Sequence, residues 1–126
     1  MSPARMARIE SAMRTVLAFN EMFNHHDIAS LSQLISDDCL LEDTGPAPDG
    51  AAYLGRAAIL QFWQRLFNES PDCKVEIEEI FGQGERCILR WRYSQADPAG
   101  TRGRIRGVDI FKVKNGTICE ILSYAK

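Results

Sequence analysis

No run in the 126-residue chain approaches the roughly 18 consecutive apolar residues of a membrane-spanning helix, so the sequence predicts no transmembrane segment and no membrane partner. Cysteine-pair chemistry is missing as well. Cys39, Cys73, Cys87 and Cys119 form no Cys-x-x-Cys unit and no zinc-type spacing with histidine, and they read as small buried apolar residues of a reducing compartment. Charge of one sign is not in excess: a net charge of −2 speaks against a general nucleic-acid binder. Residues Met1 to Arg5 reach polar and charged positions before any apolar stretch, which predicts no secretory signal and a cytoplasmic location. Arg5, Arg8 and Arg14 fall within a helical pattern rather than a transit peptide. Repeats, low-complexity tracts and linkers are absent too, so residues 1–126 are expected to form a single domain.

What is present fits a globular chain: 45% apolar and 25% charged residues can close a core and leave room for an internal pocket. Helical spacing of Ile9, Met13, Val16, Leu17, Asn20 and Phe23 predicts a helix over residues 6–24. Asp27 is placed to cap a second, shorter helix carrying Ile28, Leu31, Leu34 and Ile35. Residues 39–43 read as a short strand, and the Gly-Pro-Ala-Pro-Asp-Gly stretch at 45–50 as a loop. Ile59, Phe62, Trp63, Leu66 and Phe67 give a third helix a broad apolar stripe, with Pro71 beyond its end. From Cys73 the period changes to two, with strands expected near 74–81, 86–95, 103–114 and 117–124, and hairpin turns at 82–85 and at Lys114-Asn115-Gly116. Helices before a meander of strands predict an α+β fold.

Two carboxylates stand where apolar residues are expected. Asp43 shares a strand face with Cys39 and Leu41, and Asp109 lies between Gly107 and Phe111 on an apolar-leaning face. Desolvation raises a carboxyl pKa, so one such acid can stay protonated and donate a hydrogen bond while a less buried one acts as base. The plainer uses are a side-chain cap on the Thr44-Gly45 turn for Asp43 and an arginine partner for Asp109.

The segment Asp37-Asp38-Cys39-Leu40-Leu41-Glu42-Asp43, the helix start Gly55-Arg56-Ala57-Ala58-Ile59, the strand Gly107-Val108-Asp109-Ile110-Phe111 and the turn Asn115-Gly116-Thr117-Ile118 resemble the SnoaL-like and ketosteroid-isomerase-like families of the nuclear transport factor 2-like superfamily. The resemblance runs from the first helix to the last strand. It implies a cystatin-like cone in which three helices pack on a strongly curved antiparallel sheet and enclose an apolar pocket, often in a homodimer. It also implies isomerase or cyclase chemistry, a proton moved beside the carbonyl of a small apolar cyclic or polyketide compound, with no metal and no cofactor. Asp43 matches the family's base and Asp109 its protonated donor. The family's donor tyrosine on the first helix falls at Phe19, which has no hydroxyl; losing one such donor typically costs about 2.7 to 4 kcal/mol of transition-state stabilisation. A non-catalytic ligand-binding protein with the same cone is the alternative. Limonene-epoxide hydrolases share the fold but rely on an Asp-Arg-Asp set, and no Arg-x-Asp occurs around Asp109.

Asn20, near the centre of the first helix's apolar stripe, either faces the ligand or ties the helix to backbone elsewhere. Trp63, Phe67, Trp91 and Phe111 are further candidates for the wall of an apolar pocket, with plain core as the other reading. Tyr53, Tyr93 and Tyr124 are possible hydroxyl sources. His25-His26-Asp27 lacks the spacing of a metal site. Arg86, Arg90, Arg92, Arg102, Arg104 and Arg106 read as an outer sheet face paired with acids such as Glu76 and Glu78.

Overall fold

Ser2 starts the first helix: its side chain accepts the Arg5 N–H, and Pro3 occupies the first turn, where a missing N–H costs nothing. The computed structural model describes residues 2–96 and 102–126. Helix α1 (Pro3–Asn24) buries Ala12, Val16, Phe19, Asn20 and Phe23 on one side. Asp27 caps α2 (Ile28–Leu34), its carboxylate accepting the Ser30 N–H at 3.1 Å and the Ser30 hydroxyl at 2.7 Å. Ile35, expected in this helix, instead opens strand β1 (Ile35–Glu42). It keeps the buried position four residues after Leu31, but on extended backbone, so apolar spacing alone did not reveal the change of element.

A short strand β2 (Ala52–Leu54) follows the loop, then α3 (Arg56–Glu69), which buries Ile59, Trp63 and Phe67. The remaining strands are β3 (Lys74–Gln83), β4 (Arg86–Ala96), β5 (Arg102–Lys114) and β6 (Thr117–Ala125). The six strands form one sheet in the order β2-β1-β6-β5-β4-β3. All neighbours are antiparallel except β1 and β6, which run parallel, so the sheet is mixed. Period-two patterning reports which face a side chain takes and is blind to strand direction.

Register shifts between Ile77 and Glu79, and between Lys112 and Val113, mark bulges, which bend and twist a sheet. The three helices pack on the inner face. Phe111, Leu89, Ile118, Ile121 and Ile59 are almost wholly buried, and Phe19 sits edge-on to Phe111 with ring centroids 5.6 Å apart. Asn24 fastens α1 to β3 by donating to the Val75 carbonyl (2.9 Å) and accepting the Val75 N–H (2.7 Å).

The outer face carries charge in pairs. Glu78 meets Arg92 and Arg106, Glu79 meets Arg90, and Arg86 meets Glu120. The side chains of Arg102 and Arg104 lie outside the described residues. Between these charges runs an apolar row of directly paired residues across four strands: Phe81, Ile88, Ile110 and Leu122.

Candidate functional site

Between α1, α3 and the inner face of the sheet lies a cavity of about 320 Å³. Its wall is mostly apolar, with Phe19, Phe23, Leu41, Trp63, Leu66 and Leu89 prominent, and Asp43, Asp109 and Ser123 bring polar groups to it.

Asp43 follows the end of β1, where its N–H donates to the Ala51 carbonyl at 2.9 Å as the chain returns into β2. That return depends on Gly50, whose φ is +78° and where a Cβ would fall 1.9 Å from the Asp43 carbonyl oxygen; no other residue type fits so close an approach. Burial pushes the Asp43 carboxyl above its ordinary pKa, and the Thr44 backbone N–H opposes this in part. The turn-capping contact and the place on the cavity wall therefore coexist.

Asp109 sits in β5 opposite Leu89 of β4 and Ser123 of β6. Burial raises its pKa to about 6; Ser123 and the Trp91 indole favour the charged form, and the nearby charge of Asp43 disfavours it. Asp109 Oδ1 and Trp91 Nε1 are both buried and have no hydrogen-bond partner among the described residues. The indole lies close enough to Asp109 to favour its charged form without meeting hydrogen-bond geometry, and an unmade bond at a buried polar atom costs about 1–3 kcal/mol. Gly107 fixes the indole's place, because a Cβ there would lie 2.5 Å from the Trp91 ring.

Phe19, Asn20, Trp63 and Trp91 stand on the same wall as the two aspartates. Phe67 and Phe111 do not, and the expectation of a wall position for them is corrected. Phe111 is enclosed in the core behind Phe19, and Phe67 packs between Phe23 and a stacked His26 ring at 4.2 Å. The Asn20 amide donates to the Val75 carbonyl at 3.2 Å, tying α1 to β3. Of the tyrosines, Tyr93 reaches the cavity, Tyr53 stacks on Phe62, and Tyr124 is exposed. His26 Nε2 lies 3.0 Å from the Cys73 carbonyl oxygen, and among the described residues no group of three or more histidine, cysteine or acidic side chains could hold a metal ion.

Sequence reasoning missed Ser123, Thr44 and Gln95 on the wall. Ser123 was within reach in principle, since it alternates with Ile121, but only the β5–β6 register sets it against Asp109.

Comparison with known proteins fits this geometry. The SnoaL-like domain model matches residues 16–121. The chain belongs to the SnoaL-like family. A nuclear transport factor 2-like protein of unknown function from Mesorhizobium loti is 38% identical, with 94% of this chain and 93% of that one covered and a TM-score of 0.81. Two more distant structures share the fold. One is a SnoaL-like polyketide cyclase candidate from Shewanella denitrificans (19% identity, 91% and 90% covered, TM-score 0.80). The other is a Mycobacterium tuberculosis protein in complex with estradiol-17β-hemisuccinate (21% identity, 90% and 92% covered, TM-score 0.79). No curated protein matches the chain. No helix among the described residues of this SnoaL-like chain is long and apolar enough to cross a membrane.

Proposed function

We propose that this SnoaL-like protein moves a proton beside the carbonyl of a small apolar cyclic or polyketide compound, as a cofactor-independent isomerase or cyclase. The observation that carries the reading is the pair of aspartates on one apolar wall, close enough for the charge of Asp43 to raise the pKa of Asp109. The half-buried Asp43 is the base. It takes the proton from the carbon next to the carbonyl, the electron pair moves onto the carbonyl oxygen, and the protonated Asp109 donates a hydrogen bond to that oxygen as its charge grows. Asp43 then returns the proton at another carbon of the enol system, or the enolate closes a ring.

Among the described residues no arginine lines the cavity, and Arg86, Arg90, Arg92 and Arg106 pair with glutamates on the outer face. The Asp-Arg-Asp arrangement of an epoxide hydrolase therefore has no counterpart among the described residues. A steroid held by a structural neighbour of the same fold supports a flat apolar ligand as the class to try first. Phe19 on the wall favours a second reading, in which the cavity binds such a ligand without turning it over. The assay is conversion of a β,γ-unsaturated 3-ketosteroid to its conjugated enone by the purified wild type. Turnover that declines above pH about 6, as Asp109 loses its proton, is the expected result; saturable binding with no turnover above buffer would replace the first reading with the second.

We also read the protein as a cytoplasmic homodimer. The apolar row Phe81, Ile88, Ile110 and Leu122 on the outer sheet face, with Phe81 52% exposed, supports a contact between two copies on this face.

A further inference from the structure

Trp91 of β4 and Asp109 of β5 meet at one spot on the cavity wall. Gly107 is the direct ladder partner of Trp91, and Asp109 is the next residue of β5 on the same face. A Cβ at Gly107 would fall 2.5 Å from Cζ2 and 2.6 Å from Cη2 of the indole, so the ring lies across that glycine with its nitrogen-side edge over β5. Asp109, two residues along, is near enough for the indole N–H to act on its carboxyl.

Two buried polar atoms, Trp91 Nε1 and Asp109 Oδ1, thus stand side by side with no hydrogen-bond partner among the described residues. Trp91 is only 7% exposed, so bulk water does not serve its N–H. The indole nitrogen can only donate, whereas a carboxyl oxygen accepts when ionised and donates when protonated. A carbonyl oxygen between them accepts from Trp91 and from protonated Asp109; a hydroxyl accepts from Trp91 and donates to ionised Asp109. A ligand that brings an oxygen to this place is therefore favoured over a hydrocarbon of the same shape. The hydroxyl of Tyr93 is engaged elsewhere, donating to Gln95 Oε1 at 2.6 Å, an oxygen that also accepts from Ser70 at 2.8 Å. On α1 the ring of Phe19 packs against Trp63 and Phe111 and carries no donor.

We infer that the Trp91 indole N–H is the second donor to the ligand's carbonyl oxygen, supplying from β4 the hydrogen bond that Phe19 on α1 cannot. With Asp109 it makes a two-donor site, and charge growing on the oxygen as the neighbouring carbon loses its proton strengthens both bonds. Gly107 belongs to the same arrangement, because any side chain there would displace the indole. This rests on the cavity being the ligand site, as proposed above, but not on turnover.

The test is equilibrium binding of two flat bicyclic probes of nearly equal shape, 2-naphthol and 2-methylnaphthalene, followed by their own fluorescence. The wild type is expected to prefer the naphthol. Trp91→Phe, which keeps an aromatic ring and removes the N–H, should cut naphthol affinity about five- to tenfold, the scale of one neutral hydrogen bond to an otherwise unpaired group. Its affinity for the methylnaphthalene should change much less. Nitrogen-15 NMR of the wild type reports the contact without any variant of Trp91, because the chain has two tryptophans and Trp63→Phe assigns their indole signals. The Trp91 N–H should move downfield with the naphthol and not with the methylnaphthalene. In the steroid assay Trp91→Phe should lower kcat about 10²- to 10³-fold with KM little changed. No wild-type preference, binding of neither probe, equal weakening of both in Trp91→Phe, a Trp91 signal that answers both alike, or steroid turnover unmoved by Trp91→Phe would overturn the inference. A naphthol preference carried by Trp91 in a protein that turns over no steroid would leave this donor standing while the catalytic reading fell.

Discussion

Asp43→Asn is expected to lower the turnover of a β,γ-unsaturated ketone by a factor on the order of 10² to 10⁴, the usual contribution of a positioned acid–base group. The amide keeps the shape and the contact with Thr44 but cannot take a proton at neutral pH. Asp43 is only half-buried and sits at the end of its strand, so the fold should be little affected. Affinity for the product enone should stay within a few-fold, because the apolar wall is untouched and Asp109 keeps its place on it. Paired measurements of kcat and of product binding separate the two effects. An asparagine variant with undiminished turnover would remove Asp43 from the chemistry.

Asp109→Asn should stabilise the protein at neutral pH, even though it removes a group the reaction needs. The ordinary aspartate pKa is 3.8, and burial raises that of Asp109 to about 6 in the folded chain. Below pH about 4 both states are protonated and the group makes no difference. Between there and pH 6 the unfolded chain ionises freely while the folded chain resists, so native stability falls as pH rises. Above pH 6 the cost is complete, and a shift of about two pKa units corresponds to about 3 kcal/mol. The variant lacks this titration, so it should exceed the wild type by about that amount at pH 7, on the order of 10 °C in Tm. The advantage should vanish near pH 4. Denaturant unfolding of both proteins at pH 4 and pH 7 checks this; a variant no more stable at pH 7 would mean that Asp109 carries its charge in the fold without penalty.

The two predictions share a cause. A carboxyl desolvated enough to hold its proton for catalysis is one that destabilises the folded state once ionised, a familiar exchange of stability for function.

Much of this architecture was legible in the residues. The α3 stripe, the strands from Cys73 onward, the Asp27 cap and both aspartates on inward faces follow from periodicity and side-chain chemistry; on α1, Val16, Asn20 and Phe23 turn inward as expected, but Leu17, expected on the same stripe, is 41% exposed. The parallel pairing of β1 with β6 was not, because alternation carries no direction, and the end of α2 was hidden by an isoleucine that suits both elements. Within the site, single residues were legible but their companions were not. Trp63 and Phe67 lie on the same helix stripe, yet one reaches the cavity and the other packs against Phe23 and His26. That difference is set by neighbours distant in sequence. The Ser70, Tyr93 and Gln95 cluster joins the end of a helix to a strand 25 residues later, a contact that no local pattern encodes.

The most direct test of the central claim, two interacting carboxyls of unequal proton affinity in one apolar cavity, is a carbon-13 NMR titration of the Asp109 carboxyl in the wild type and in Asp43→Asn. A wild-type midpoint near pH 6 that moves to lower pH when the neighbouring charge is removed is the predicted result. A midpoint in the ordinary aspartate range, unchanged by the substitution, would contradict it.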